Sequence, residues 1–323
     1  MKYYALFAIG AFFVQTVSAE KSYTWSCCND VYRPVLRLDT GEQAVYAFQE
    51  NLEFERGATA TIQIEGDGPI ESVTTPYQKI DVYQTRPFGK MLVLDDIIQL
   101  TQYDNFAYHE MIAHVPLCAH PNPKRVLIVG GGDGGTVQQV LKHASVSEVV
   151  VCEIDVQVIA MSKKYFPELA TSFDDPRVTI LAQDATTYIQ QKRTYFDVIC
   201  VDSSDPIGPA QALFEKAFYQ DLYACLTDDG IAVSQGESLF YHHDEIIAWC
   251  QRNKHIFPYA SYYYTLVPTY PSGTIGFLFC SKKYGPTQVV DEQRIAALPA
   301  LHYYTSSVHA ASFVVPQFLA QHI

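Results

Sequence analysis

Hydrophobic positions fall into two regimes along the chain. Up to about residue 100 they form short strand-like runs at residues 31–38, 44–48, 59–64, 77–83 and 91–94, separated by Gly-Glu, Gly-Asp-Gly-Pro and Pro-Phe-Gly-Lys turns. This pattern predicts a small antiparallel β domain. Residues 99–113 then read as a helix with Phe106, Met111, Ile112 and Val115 available for one buried side, and Pro121-Asn122-Pro123 marks a boundary. Beyond Lys124 apolar strands (126–129, 149–152, 178–181, 197–201, 231–234) alternate with helices near 135–143, 156–165, 185–191, 214–225 and 243–255. The alternation predicts an α/β fold with a doubly wound sheet and ligands at the carboxyl ends of its strands. Two last strands, 260–267 and 275–281, are joined by so short a turn that they must run antiparallel. The expected organisation is a signal-like segment at 1–19, an N-terminal β domain with its connecting helix at 20–120, and a catalytic domain at 121–323.

The first strand of the second regime runs straight into Gly130-Gly131-Gly132-Asp133-Gly134-Gly135. Such a loop lets the backbone turn sharply and approach a ligand closely, but an acid inside it would repel a pyrophosphate. A cationic ligand fits better. Glu153 and Asp155 close the next strand, where an acid commonly binds ribose hydroxyls, so the pair describes a nucleoside site. Asp184 follows the third strand and Asp202 and Asp205 the fourth, so one edge of the sheet is strongly negative. Any one of these acids is equally at home as a helix N-cap. Unpaired carboxylates clustered at four successive strand ends are costly unless a cation neutralises them.

Composition sharpens this picture. The 323 residues, 48% apolar, suffice for one large and one smaller unit, and a formal charge of −13 disfavours nucleic acid and favours small cationic ligands or none at all, a merely soluble acidic surface being the other reading. Eight cysteines show neither a zinc spacing nor a disulfide framework; Cys152, Cys200 and Cys280 fall in apolar strands, and Cys27-Cys28 is an isolated adjacent pair. The chain starts Met1-Lys2, continues largely apolar over 3–17 and reaches Val17-Ser18-Ala19, the pattern of a secretory signal. An uncleaved extension or a wrongly chosen start codon are the other readings. No other stretch approaches membrane length.

Gly130–Gly135, Cys152-Glu153-Ile154-Asp155, Asp202-Ser203-Ser204-Asp205-Pro206-Ile207-Gly208-Pro209, Gln235-Gly236-Glu237 and Pro268-Thr269-Tyr270-Pro271-Ser272-Gly273, in this order, resemble the signatures of the spermidine synthase family, and the likeness runs from about Tyr77 to Phe318. The resemblance implies a methyltransferase-like (Rossmann-like) sheet that moves an aminopropyl group from decarboxylated S-adenosylmethionine to putrescine, giving spermidine and methylthioadenosine. It implies no metal and no cofactor beyond that co-substrate, and a homodimer or homotetramer built partly through the N-terminal β region. Carried over by motif, Gln78, Glu153, Asp184, Ala185 and Pro209 hold the donor, Tyr108, His109, Asp205 and Tyr270 hold putrescine, Asp133 touches both, and Asp202 is the proton acceptor. Ala185 replaces a frequent glycine without removing a functional group, and the region before Val73 departs from the family. Blander roles stand beside these: His109 as a cap or seam residue, Gln78 as a plain strand residue, and Tyr262-Tyr263-Tyr264 as strand and core.

The implied reaction sets opposing demands. Attack at carbon turns a sulfonium into a neutral thioether while positive charge appears on nitrogen, and carboxylates near that nitrogen favour the change. The acceptor must nevertheless react as a free amine, a form held by roughly one molecule in a few thousand at pH 7. An unshifted aspartate near 3.9 is a poor base for an ammonium, so Asp202 is expected to take the proton as bond formation acidifies the nitrogen, and the rate is expected to rise into alkaline pH. Asp133 would repel the carboxylate of intact S-adenosylmethionine. The competing readings are spermine synthase, putrescine N-methyltransferase, and an exported, non-catalytic polyamine or methylthioadenosine binder. Location stays open between export, from the signal-like start, and the cytoplasm, where the donor is supplied.

Overall fold

The computed structural model describes residues 35–39, 44–52, 58–206, 208–287, 292–299 and 301–323. The signal-like start, Cys27-Cys28 and residues 31–34 of the first expected strand lie outside them. The N-terminal regime forms a seven-stranded sheet from β1 (Val35–Asp39), β2 (Ala44–Leu52), β3 (Ala58–Ile64), β4 (Glu71–Thr74), β5 (Lys79–Thr85), β6 (Gly89–Leu94) and β7 (Ile97–Thr101). Every pairing in it is antiparallel, in the order β1-β2-β3-β5-β6-β7, with β4 on β5.

One expectation fails here. The helix read from Gln99 is preceded by β7, because Asp95 and Asp96, both at positive φ (47° and 64°), make a two-residue turn that sends the chain straight back along β6. The helix α1 spans Asn105–Ala119 and continues through Pro116. Proline offers no N–H to the Ile112 carbonyl, and the buried Cys200 thiol, 3.6 Å away, meets that oxygen instead.

The second sheet holds β8 (Arg125–Gly130), β9 (Glu148–Cys152), β10 (Val178–Leu181), β11 (Phe196–Asp202), β12 (Leu226–Gln235), β13 (Tyr259–Leu266) and β14 (Thr274–Ser281). Their order is β10-β9-β8-β11-β12-β14-β13; the first five are parallel, and β14 is antiparallel to both neighbours. This is the doubly wound arrangement expected, with the chain reversing its direction of progress between β8 and β11. The helices are α2 (Gly135–Leu141), α3 (Val156–Tyr165), α4 (Pro167–Ala170), α5 (Ala185–Gln190), α6 (Lys216–Cys225), α7 (His243–Asn253), α8 (Glu292–Ala296), α9 (Ser306–Ser312) and α10 (Gln317–Ala320). Strands buried on both faces explain the unbroken apolar runs: α1 and α2 cover one face with Val126, Ile128 and Val151, while α5, α6 and α7 cover the other with Leu127, Val129 and Val150. Tyr262 and Tyr263 are buried in β13 as core. The six cysteines among the described residues are free and buried, and no helix there is long and apolar enough to cross a membrane.

Two ties fix one sheet against the other, and a third fastens α1 to the segment after β14. Ile80, Val82, Leu92 and Leu100 of the first sheet pack on Val158 and Met161 of α3, Leu169 of α4 and Phe166 between the two helices. Asp104, buried just before α1, accepts from the Thr101 hydroxyl (2.6 Å) and from the Thr269 N–H and hydroxyl (2.9 and 2.8 Å), joining both sheets at one corner. Glu110 in α1, fully buried, accepts the backbone N–H groups of His302, Tyr303 and Tyr304, each at 2.8 Å. That set of donors compensates a charge that would otherwise be costly.

Gly276 in β14 exists for Tyr262, whose ring lies where a methyl group would stand and whose hydroxyl donates to the Glu237 carbonyl (2.8 Å). Gly276→Ala should lower stability by about 2–3 kcal/mol in denaturant melts, and the loss should shrink strongly in a Tyr262→Ala background. Additive losses would show that the ring is not the obstacle.

Candidate active site

Strand register creates the centre of the site. Asp202, last in β11, pairs with Gly130, last in β8, so the fourth strand's acid lies directly beside the glycine loop. Gly131 N–H donates to the Asp202 carbonyl (2.9 Å), and a side chain on Gly130, at φ 76°, would strike that same carbonyl. Gly131 faces Asp202 Oδ2 and Gly132 faces Glu153 Oε2, so consecutive glycines lie between two carboxylates.

Asp133 bends back within the loop: its Oδ1 accepts from Gly135 N–H (2.5 Å) and lies 3.2 Å from His109 Nε2 on α1. Burial works against both charges, lifting the acid and lowering the imidazole. Their mutual attraction, helped by the Gly135 N–H, outweighs it, leaving Asp133 below and His109 above its ordinary range. Together they form an ion pair whose imidazole is buried and whose carboxylate stays partly open to the cleft. Asp202 accepts the Thr136 hydroxyl at Oδ2 (2.6 Å), and the Tyr108 hydroxyl also bonds to it. Burial and the neighbouring Asp133 charge nevertheless push it up to about 6. Burial likewise carries Glu153 up to about 7, against the Asp155 N–H that its Oε1 accepts (2.8 Å).

Other acids at the strand ends divide between helix caps and side-chain pairing within the cleft. Asp155 caps α3 through Gln157 N–H (3.1 Å) and accepts from Thr75 Oγ1 (2.7 Å) and Gln78 Nε2 (3.1 Å). Asp184 caps α5 through Thr186 N–H (2.9 Å); burial raises it, but the Thr186 and Thr187 donors bring it below its ordinary value. The cap reading holds for both. Asp205 is raised by burial and accepts from Gln235 Nε2 (3.2 Å), which also reaches Glu237 (3.4 Å). Tyr270 donates its hydroxyl to the Gln99 carbonyl (2.6 Å), leaving the phenolic oxygen as an acceptor.

Gln78, Tyr108, His109, Asp133, Glu153, Asp184, Ala185, Asp202, Asp205 and Tyr270 all line one cleft between the two sheets. The side chain of Pro209 lies outside the described residues. Ligand atoms of His109, Asp133 and Asp202 lie within 4.8 Å of one another, the one grouping among the described residues able to hold a metal ion, and equally a set of acceptors for an ammonium.

A profile described as Spermine/spermidine synthase domain matches residues 105–292, and the chain is 46% identical over 277 residues to the polyamine aminopropyltransferase of Leptospira biflexa, covering 85% of this chain and 97% of that one. The chain belongs to the spermidine synthase family. The spermidine synthase of Dictyostelium discoideum is 44% identical over 274 residues, covering 85% and 96%. A crystal structure of spermidine synthase in complex with the transition state analogue AdoDATO superposes with a TM-score of 0.81 at 36% identity, covering 85% of this chain and 94% of that one. A second profile, described as Spermidine synthase tetramerisation domain, matches residues 72–102, within the first sheet of this spermidine synthase family member.

Sequence reasoning named no role for Thr136, Gln235 or Glu237. Gln235 ends β12 and so shares the strand-end position of the acids, a signal that was legible; Glu237 adopts φ 64°, rare for a residue with a Cβ and visible only in the fold. The ion pair yields a direct test. In Asp133→Asn the His109 imidazole should titrate at lower pH than in the parent protein, measured by NMR, because burial then acts with less opposing charge. An unchanged midpoint would dissolve the pair.

Proposed function

We propose that this chain transfers the aminopropyl group of decarboxylated S-adenosylmethionine to putrescine, releasing methylthioadenosine and spermidine. The observation that carries the reading is the pair of carboxylates facing adjacent glycines of one loop, Glu153 on one side and Asp202 on the other. In this reading the nucleoside lies against Glu153, Gln78, Asp184 and Ala185, with Pro209 following by its place in the motif. Its sulfonium then points past the loop towards Asp202.

Putrescine lies between Tyr108, His109, Asp133 and Asp202 at its reacting end and Asp205 and Tyr270 at the other. The free amine attacks the methylene carbon next to sulfur, the carbon–sulfur bond breaks with its electron pair going to sulfur, and one proton leaves the new ammonium for Asp202. With Asp202 raised to about 6, this acceptor is a better base than the ordinary aspartate expected from sequence, yet remains mostly ionised at pH 7. Asp133, kept ionised by His109, supplies fixed negative charge where the amine turns cationic. We further infer assembly as a homodimer or homotetramer through the first sheet, which native mass spectrometry reads directly; a monomer at micromolar concentration would oppose it.

The decisive assay incubates purified protein with putrescine and decarboxylated donor and follows methylthioadenosine release. Asp202→Asn should retain methylthioadenosine affinity while turnover falls by about 10²–10⁴-fold. Intact S-adenosylmethionine should give no methylputrescine; efficient methylation would replace this reading with an N-methyltransferase.

A further inference from the structure

Thr136 is completely buried in the first turn of α2, where its hydroxyl must find a partner inside the protein. The partner is Asp202 Oδ2, 2.6 Å away. A carboxylate has two oxygens, and a donor fixed on one sets the plane of the group and thereby the direction of the other. Gly131 N–H already holds the backbone of Asp202, so rotation of the carboxylate is the remaining freedom, and the Thr136 bond restrains it together with the Tyr108 hydroxyl. We propose that Thr136 is a positioning residue for the proton acceptor: its hydroxyl locks one oxygen of Asp202 so that the other faces the attacking amine.

This inference rests on the aminopropyl-transfer reading and adds a second consequence. A hydrogen bond to the charged form lowers an acid's pKa, so Thr136 restrains the rise that burial and Asp133 impose on Asp202. The other titratable groups facing Asp202 are Tyr108 and His109 from α1, Asp133 from the glycine loop, Glu153 after β9, Tyr270 between β13 and β14, and Cys200 from its own strand. None of them is altered by a change at position 136, so a shift in the profile reports the lost hydroxyl.

Thr136→Val keeps the shape and removes the donor; Thr136→Ala removes the donor without a branched side chain, should valine fail to fold; Thr136→Ser retains it. With saturating decarboxylated donor, the acidic limb of kcat/KM for putrescine should move up by about one pH unit in the valine and alanine variants, the size of one charge-assisted hydrogen bond partly replaced by water. The loss should be largest near pH 6.5 and shrink towards pH 9 without vanishing, because the misdirected oxygen still costs turnover when Asp202 is fully ionised. Methylthioadenosine affinity should stay at the parent value, and the serine variant should restore the parent profile. Superimposable profiles, or a pH-independent loss accompanied by weakened methylthioadenosine binding, would overturn the proposal. An inactive parent protein would instead remove the functional reading beneath it.

Discussion

Carboxylates confined together in a cleft repel one another, and the arrangement of this protein follows from managing that repulsion. Asp133, Glu153 and Asp202 lie around one glycine loop at the wall of one cleft. Giving all three the same environment would force protons onto them indiscriminately. The fold separates them instead. His109 keeps Asp133 anionic, while burial leaves Glu153 and Asp202 higher, at values where a cationic ligand can shift them. The cleft therefore concentrates negative charge, which a sulfonium or an ammonium would offset.

The scaffold serves this division through placement rather than through additional charge. Gly130 and Asp202 meet because β8 and β11 are neighbours on either side of the point where the sheet changes direction. α1 brings Tyr108 and His109 to the same place from above the sheet, and the first sheet closes the cleft from the other side. Asp104 joins the start of α1 to the segment carrying Tyr270, so the two walls are referenced to a common point.

How much of this was readable in the chain depended on how local each determinant was. The glycine loop and the strand-end acids were legible because a buried parallel strand advertises itself as an apolar run and its ligands follow at its carboxyl end. Asp155 and Asp184 were legible twice over, since a cap is set by residues two or three positions away. The run Ile97-Ile98-Gln99-Leu100 was ambiguous between helix and strand, and the Asp95-Asp96 turn decided it. The basicity of Asp202 was beyond reach: it arises from burial and from Asp133, a residue nearly seventy positions earlier in the chain. Thr136 carried no sequence signal, because a threonine near a helix start is commonplace until its hydroxyl is seen beside a particular carboxylate.

Glu110 gives the tail of the protein an unexpected standing. Among the described residues none beyond Ile275 lines the cleft, yet the amides of His302, Tyr303 and Tyr304 wrap the carboxylate next in sequence to His109. A polypeptide that had not yet delivered those amides would hold a bare anion beneath the very helix turn that orients His109. The wall that carries His109 is thus completed by a stretch 192 to 194 positions further along the chain, so its shape depends on a contact made far from the glycine loop.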